Sequence, residues 1–101
     1  MNKLTEDQYF RKYPIEEAHL GDYGTPKKSQ ITFNFPEVLK EEGAGDYINF
    51  YNDGVSTYFE IAGAYQNCGL FTFNNKIYTD MELYEFVYNF FSRQIEDSAV
   101  V

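Results

Sequence analysis

The stretch from Tyr47 to Ile61, YINFYNDGVSTYFEI, contains two runs of alternating side chains on either side of Asn-Asp-Gly. Alternation with a period of two is typical of a half-buried β-strand, and Asp-Gly is a preferred two-residue turn. We therefore predict an antiparallel hairpin in which a type I′ turn at Asp53-Gly54 pairs Asn52 with Val55. This pairing separates apolar from polar residues, and burial of one face is what fixes a register.

The predicted hairpin has one apolar face and one polar face. The apolar face, which should pack on the core, carries Ile48, Phe50, Thr57, Phe59 and Ile61. We name the other one the tyrosine face, and it consists of Tyr47, Asn49, Tyr51, Ser56, Tyr58 and Glu60, with Asp53 at the tip. Tyr is enriched at interfaces because it gives a large contact area at low entropic cost. We predict that the tyrosine face binds a partner protein; the alternative is that Tyr9, Phe10 and Tyr13 of the N-terminal segment cover it.

Two further segments of the chain have strand patterns. Ile31, Phe33 and Phe35 alternate with polar residues before Pro36 ends the run, which indicates a strand with one buried face. Residues 70–73 and 76–78 flank Asn74-Asn75, a dipeptide suited to the positive φ of a tight turn, and indicate a second hairpin. The sequence therefore predicts a small antiparallel sheet of about four strands.

Three segments have helical patterns before the C-terminal part of the chain. Thr5 and Gln8 have the spacing of a capping box, so a short helix should follow Thr5. Residues 14–21 have Pro at the first position and Gly at the last, which predicts one or two helical turns. A further turn is expected over residues 37–42.

The longest predicted helix runs from Met81 to about Arg93, capped by Thr79-Asp80. Helical periodicity places most of its apolar residues on one broad stripe, with Phe90 near the centre. The stripe consists of Leu83, Tyr84, Phe86, Val87, Tyr88, Phe90 and Phe91. The narrow polar face consists of Glu82, Glu85, Asn89, Ser92 and Arg93. Such a stripe packs on a core, and its width leaves one edge for a partner.

These elements predict an α+β fold: a small antiparallel sheet, an amphipathic C-terminal helix packed on one face and a short helical N-terminal segment. A length of 101 residues fits a single domain over 1–101. Residues 22–30 have the composition of a linker, and residues 97–101 are expected to form a loose tail.

The composition restricts where the chain works and what it binds. Ten Tyr, ten Phe and a net charge of −8 accompany one Cys and one His. A lone Cys fits a reducing compartment, and residues 1–7 lack the apolar core of a signal peptide, so we expect a cytoplasmic protein. No apolar run is long enough to span a bilayer. Phosphate binding needs clusters of Lys and Arg, so we expect no direct contact with nucleic acid or membrane.

The residue types that usually carry chemistry are scarce, and we predict no catalytic, cofactor or metal site. Glu16 and His19 have the spacing of a di-iron ligand pair, but the second such pair is missing from the sequence. Cys68 has no local signature of a nucleophile. The sequence therefore indicates a binding protein rather than an enzyme.

An acidic surface attracts basic partners. The leading hypothesis is a small inhibitor, encoded by a phage or mobile element, that blocks a host nucleic-acid-handling defence enzyme of the CRISPR or restriction type. Abundant Asn, Lys, Ile, Phe and Tyr with scarce Arg point to an AT-rich genome and thus to a low-GC bacterium or its phage. An immunity protein or antitoxin against a basic toxin nuclease is the first alternative. A structural or accessory subunit of a larger assembly is the second, and a homo-oligomer is compatible with all three.

Overall fold

The computed structural model describes residues 3–19, 28–63 and 69–99. Within them the fold is α+β, as predicted, with a five-stranded antiparallel sheet rather than four strands. The helices are α1 (Glu6–Lys12), α2 (Glu37–Glu41) and α3 (Asp80–Ala99). The strands are β1 (Glu16–Glu17), β2 (Ser29–Asn34), β3 (Tyr47–Asn52), β4 (Thr57–Ala62) and β5 (Leu70–Phe73).

The strands lie in the order β1-β5-β4-β3-β2, so β2 to β5 form a meander and β1 is added at the far edge. The helical turns predicted over residues 14–21 are wrong where the structure describes the chain, because Glu16 and Glu17 pair with β5 instead. The Ala18 amide continues this pairing by donating to the Leu70 carbonyl at 2.8 Å. β5 offers this free edge because residues 76–78 do not return beside it as the predicted strand.

Residues 76–78 are held by β4 instead. The Thr57 amide donates to the Lys76 carbonyl at 2.9 Å, and the Tyr78 amide donates to the Thr57 hydroxyl at 3.2 Å. The turn at Asn74-Asn75 forms as predicted, with Asn75 at a φ of 56°. Of the predicted linker, Ser29 and Gln30 belong to β2, and residues 22–27 lie outside the described residues.

The central hairpin has the predicted faces but a different register. Asn52 pairs with Thr57 rather than Val55, which leaves a four-residue connection over residues 53–56. The Asp53 carboxylate stabilises this longer turn by accepting the amides of Val55 and Ser56, each at 2.8 Å. The shift of two residues keeps the side chains of β3 and β4 on their predicted faces and places Phe50 opposite Phe59 in the core. Ser56, predicted as a strand residue of the tyrosine face, lies in the connection instead.

The core is built around one fully buried ring, that of Phe86 in α3. Its centroid lies 5.4 Å from that of Tyr9, 5.3 Å from Tyr13, 5.7 Å from Phe50, 5.4 Å from Phe59 and 5.3 Å from Phe73. Phe90, predicted at the centre of the apolar stripe, is only partly buried.

Two of these rings, Tyr9 and Tyr13, come from the N-terminal segment. The capping box predicted at Thr5 and Gln8 forms and begins α1. Tyr9 then donates to the Phe86 carbonyl at 3.2 Å, and Tyr13 donates to the Glu82 carbonyl at 2.7 Å. The segment therefore packs against α3 and the core, so the alternative in which it covers the tyrosine face is wrong.

This packing changes which face of α3 is exposed to solvent. Asn89 was expected on the polar face but is 1 % exposed; its Oδ1 accepts the Leu4 amide at 2.8 Å. Glu85, on the same face, accepts the Tyr13 hydroxyl at 2.9 Å and the Lys12 ammonium at 2.7 Å. Tyr84 and Tyr88, at one edge of the apolar stripe, are instead 44 % and 40 % exposed.

α3 is also longer than predicted. It begins at Asp80 behind Thr79, whose hydroxyl accepts the Glu82 amide at 3.2 Å, and it continues to Ala99 rather than ending near Arg93. Residues 97–99 of the predicted loose tail are therefore helical. Contacts between the helix and the N-terminal segment, such as the ion pair of Lys3 with Glu96, support this extension.

We expect Phe86→Ala to lower the free energy of unfolding by about 3–5 kcal/mol, because it opens a cavity among five rings. The control, Phe10→Ala, removes a ring that is about half exposed and should cost less than about 1 kcal/mol. Urea denaturation of the two variants measures both values. Equal and small losses would show that the core is not centred on Phe86.

A second expectation concerns Glu85, whose pKa is lowered chiefly by the hydrogen bond from Lys12. The ionised form is therefore stabilised in the folded protein, and this contribution is lost as the pH falls through the lowered pKa. Glu85→Gln should cost about 1–2 kcal/mol at neutral pH and much less at about pH 3. Chemical denaturation at both pH values measures the difference, and a cost independent of pH would contradict the assignment.

Candidate protein-binding face

The register of the sheet assembles the tyrosine face from more than the central hairpin. Directly opposite residues share a face, so Gln30, Tyr51, Tyr58 and Thr72 form one row across β2 to β5. Thr32, Asn49, Glu60 and Leu70 form the next row. The buried apolar residues of the three described helices belong to the core cluster on the opposite side of the sheet. Sequence reasoning missed Gln30 and Thr32, although the alternation around Ile31 and Phe33 points to them.

Glu60 is the centre of a hydrogen-bond network on this face. Its Oε1 accepts the Tyr51 hydroxyl, and the Asn49 amide nitrogen lies 3.4 Å away on the same oxygen. The Thr32 hydroxyl donates to the Asn49 carbonyl oxygen, so the network reaches β2. Burial, followed by the hydrogen bond to Glu60, raises the pKa of Tyr51 to about 12.

The hairpin tip is held by a second carboxylate, that of Asp53. The backbone amides of Ser56 and Val55 keep its pKa below the ordinary value, and Tyr58 donates to its Oδ2 at 3.1 Å. The tip is therefore ionised at neutral pH. The Lys28 side chain lies against Gly54, so one positive charge stands next to this turn.

The seven predicted contact residues fall into two groups. Asn49, Tyr51 and Ser56 are buried; Tyr51 is only 4 % exposed, and the Ser56 hydroxyl accepts the Asn75 amide at 3.0 Å. Tyr47 is 36 % exposed, and Asp53, Tyr58 and Glu60 are partly exposed. The first group therefore positions the face, and the second group is accessible to a partner. The sequence pattern marks the shared face but not this difference, which depends on side-chain hydrogen bonds.

Glu16 and His19, whose spacing resembles that of a metal-ligand pair, are both exposed. His19 is largely exposed, 4.0 Å from the Glu17 carboxylate, and Glu16 accepts the Asn74 amide. No group of three His, Cys, Asp or Glu in the described ranges could hold a metal ion. Cys68 lies outside those ranges.

Two cavities lie on the core side of the sheet. One of about 210 Å³ lies between β2, β3 and the start of α3, and is bordered by Asn52, Thr57 and Asp80. The other, of about 500 Å³, lies between α1 and α3, where Arg93 stands 5.0 Å from the Tyr9 ring and 5.7 Å from the Phe10 ring. Neither cavity contains a pair of groups arranged for acid–base or nucleophilic chemistry.

The network around Glu60 leads to a prediction for the titration of Tyr51. Because its pKa is about 12, the Tyr51 phenol should stay protonated at about pH 11, where an ordinary tyrosine is largely ionised. Glu60→Gln removes the neighbouring charge and should lower this pKa, but not to the ordinary value, because burial is the larger cause. A carbon-13 NMR titration of the tyrosine ring carbons measures both proteins. An unchanged Tyr51 titration would show that Glu60 does not act on it.

The described residues contain no helix that is both long enough and apolar enough to cross a membrane. Comparisons with protein-family models, curated proteins and solved structures yield no match for this chain. The function must therefore be argued from the contacts and charges of the tyrosine face.

Proposed function

We propose that this protein is a small inhibitor that works in the cytoplasm, encoded by a phage or mobile element, and that its tyrosine face blocks the nucleic-acid-binding cleft of a host defence enzyme. The observation that carries the proposal is the sign of the charge on that face. Its described strand positions include the acids Glu16 and Glu60 and no Lys, Arg or His. Asp53 adds a third carboxylate at the tip.

Several positively charged side chains of the described residues form ion pairs away from the tyrosine face. Lys3 with Glu96, Lys12 with Glu85 and Arg93 with Glu6 form ion pairs between the N-terminal segment and α3. These three cations therefore do not neutralise Glu16 or Glu60 on the strands of the tyrosine face. Electrostatic complementarity of this kind raises association rates and favours basic clefts over other surfaces.

The hydrogen-bond network adds preorganisation. Tyr51 and Asn49 donate to the Glu60 carboxylate, Thr32 in turn donates to Asn49, and the Tyr58 hydroxyl donates to Asp53. Side chains that are already ordered lose less entropy on binding, so a small face can bind tightly. In this arrangement Tyr47 and Tyr58 supply contact area, while Glu60 and Asp53 supply the charge that a phosphate backbone would otherwise supply.

The experiment begins with capture of partners from a nuclease-treated lysate of the native host. The captured enzyme is then purified, and its binding to this protein is measured in competition with its own nucleic acid. We expect mutually exclusive binding, because both ligands would occupy the same basic cleft. Simultaneous binding of the protein and the nucleic acid, or capture of proteins unrelated to nucleic acids, would contradict the proposal.

Variants of the captured pair test the face itself. Tyr58→Ala should weaken binding by about tenfold or more, because exposed aromatic anchors carry interface energy. Tyr88→Ala, which removes an exposed tyrosine of α3 outside the tyrosine face, is the control and should bind as the wild type does. Glu60→Gln keeps the acceptor oxygen but removes the charge, so it should slow association and reduce its dependence on salt. Binding rates measured at low and high salt distinguish these effects, and salt-independent association of the wild type would exclude electrostatic steering.

A further inference from the structure

The two edges of the sheet differ in how they are protected. Edge strands expose unpaired backbone groups, and proteins usually protect them by making them short, charged or interrupted by Pro. β1 follows this rule: it has two residues, both Glu, and Pro14 lies close before it. β2 does not: it has six residues, SQITFN, with no charge, no Pro and an unbroken register with β3.

The outer backbone groups of β2 can be assigned from its pairing with β3. In an antiparallel pair, hydrogen-bonded and non-hydrogen-bonded positions alternate. The Phe35 amide donates to the Asp46 carbonyl at 2.9 Å, so Phe33 and Ile31 also bond to β3. The amides and carbonyls of Gln30, Thr32 and Asn34 therefore point outward. Among the described residues, β2 pairs with β3 alone.

We propose that β2 is the interface through which two copies of this chain form a symmetric dimer, paired edge to edge around Thr32. In this antiparallel register Thr32 opposes Thr32 of the second copy, and Gln30 opposes Asn34. The outward groups of these residues then make about six main-chain hydrogen bonds. We infer a second copy as the partner because residues 30–34 have similar chemistry when read in either direction from Thr32.

The side chains of residues 30–34 match their own reversed sequence on both faces. On the tyrosine face, the two Thr32 residues meet between pairs of amides from Gln30 and Asn34. On the core face, Ile31 opposes Phe33 of the second copy, so apolar side chains meet apolar ones. Both of these side chains are partly exposed in the single chain, and favourable cross-strand pairs of these types stabilise sheets.

Charges at the ends of β2 are complementary in the same register. Lys28 of one copy comes to lie beside Pro36 and Glu37 of the other, and the symmetry repeats this contact. Lys28 is exposed, and its ammonium would turn from its position beside Gly54 to reach Glu37 of the second copy. The Glu37 side chain is 83 % exposed, with the Lys40 ammonium 3.9 Å away. Opposite charges therefore flank a strand that contains none, which favours self-pairing in spite of the net charge.

On the helical side of the sheet, aromatic side chains lie next to the β2 edge and form a flank of the proposed interface. Phe33 packs edge-on against Tyr84, with ring centroids 4.9 Å apart, and Tyr84 and Tyr88 are both exposed. A two-fold axis at Thr32 runs perpendicular to the sheet, so the flanks of both copies lie on one side of it. The two tyrosine faces lie together on the other side. The dimer would thus present two copies of the proposed inhibitory surface in one direction, although it does not depend on that function.

Cysteine cross-linking tests the register directly. In a Cys68→Ser background, Thr32→Cys should form an intermolecular disulfide under mild oxidation, because opposed Cα atoms in a hydrogen-bonded pair lie about 5.5 Å apart. Asn34→Cys is the matched control on the same strand. Its two copies would be offset by four residues, more than about 13 Å, and should not cross-link. A mixture of Gln30→Cys and Asn34→Cys proteins should yield the mixed disulfide dimer.

Light scattering and sedimentation of the wild-type protein over a range of concentrations provide the second readout. We expect a concentration-dependent dimer. A wild-type chain that stays monomeric up to about 1 mM would overturn the proposal and leave a strand of another protein as the occupant. A dimer in which Thr32→Cys fails to cross-link, or in which Asn34→Cys cross-links equally well, would overturn the assigned register.

Discussion

The burial of Phe86 against the sheet is the constraint on which the rest of the structure depends. Its ring is surrounded by Phe50, Phe59 and Phe73 from the strands and by Tyr9 and Tyr13 from the N-terminal segment. A small domain buries a limited share of its surface, so a single cluster of this size must hold sheet, helix and N-terminus together. The aromatic residues of α1 and α3 pack on one side of the sheet, and none of the three described helices contributes its buried residues to the other side. On that side the described side chains are ordered by hydrogen bonds between strands.

The polar side is ordered by a different kind of interaction. Glu60 and Asp53 each accept hydrogen bonds from a tyrosine and from amides, so negative charge and aromatic rings are fixed together. The buried members of such a network must be satisfied, and no buried side-chain nitrogen or oxygen among the described residues lacks a hydrogen-bond partner. Acceptors that are already ordered suit a surface that substitutes for the phosphates of a nucleic acid, and this is the physical basis of the proposed inhibition.

The two edges of the sheet differ in charge and length, and this difference is the basis of the proposed dimer. β1 covers the edge of β5 with two glutamates, whereas β2 presents an uncharged strand whose reversed sequence matches itself. Pairing through β2 would leave the tyrosine face uncovered, because edge and face are perpendicular surfaces of one sheet. Self-association and partner binding are therefore compatible in this architecture.

Local patterns in the sequence determined the fold class, the hairpin faces, the capping box at Thr5 and the start of α3, because alternation, periodicity and capping act between residues close in the chain. Tertiary structure alone decided the rest. Residues 16–17 joined the sheet because β5 had a free edge, and α3 extended to Ala99 alongside the N-terminal segment. Asn89 was buried beneath Leu4, and Glu85 was partly buried by contacts from Lys12 and Tyr13. Periodicity identifies which residues share a face but not which other segment covers them, since that depends on contacts between residues far apart in sequence.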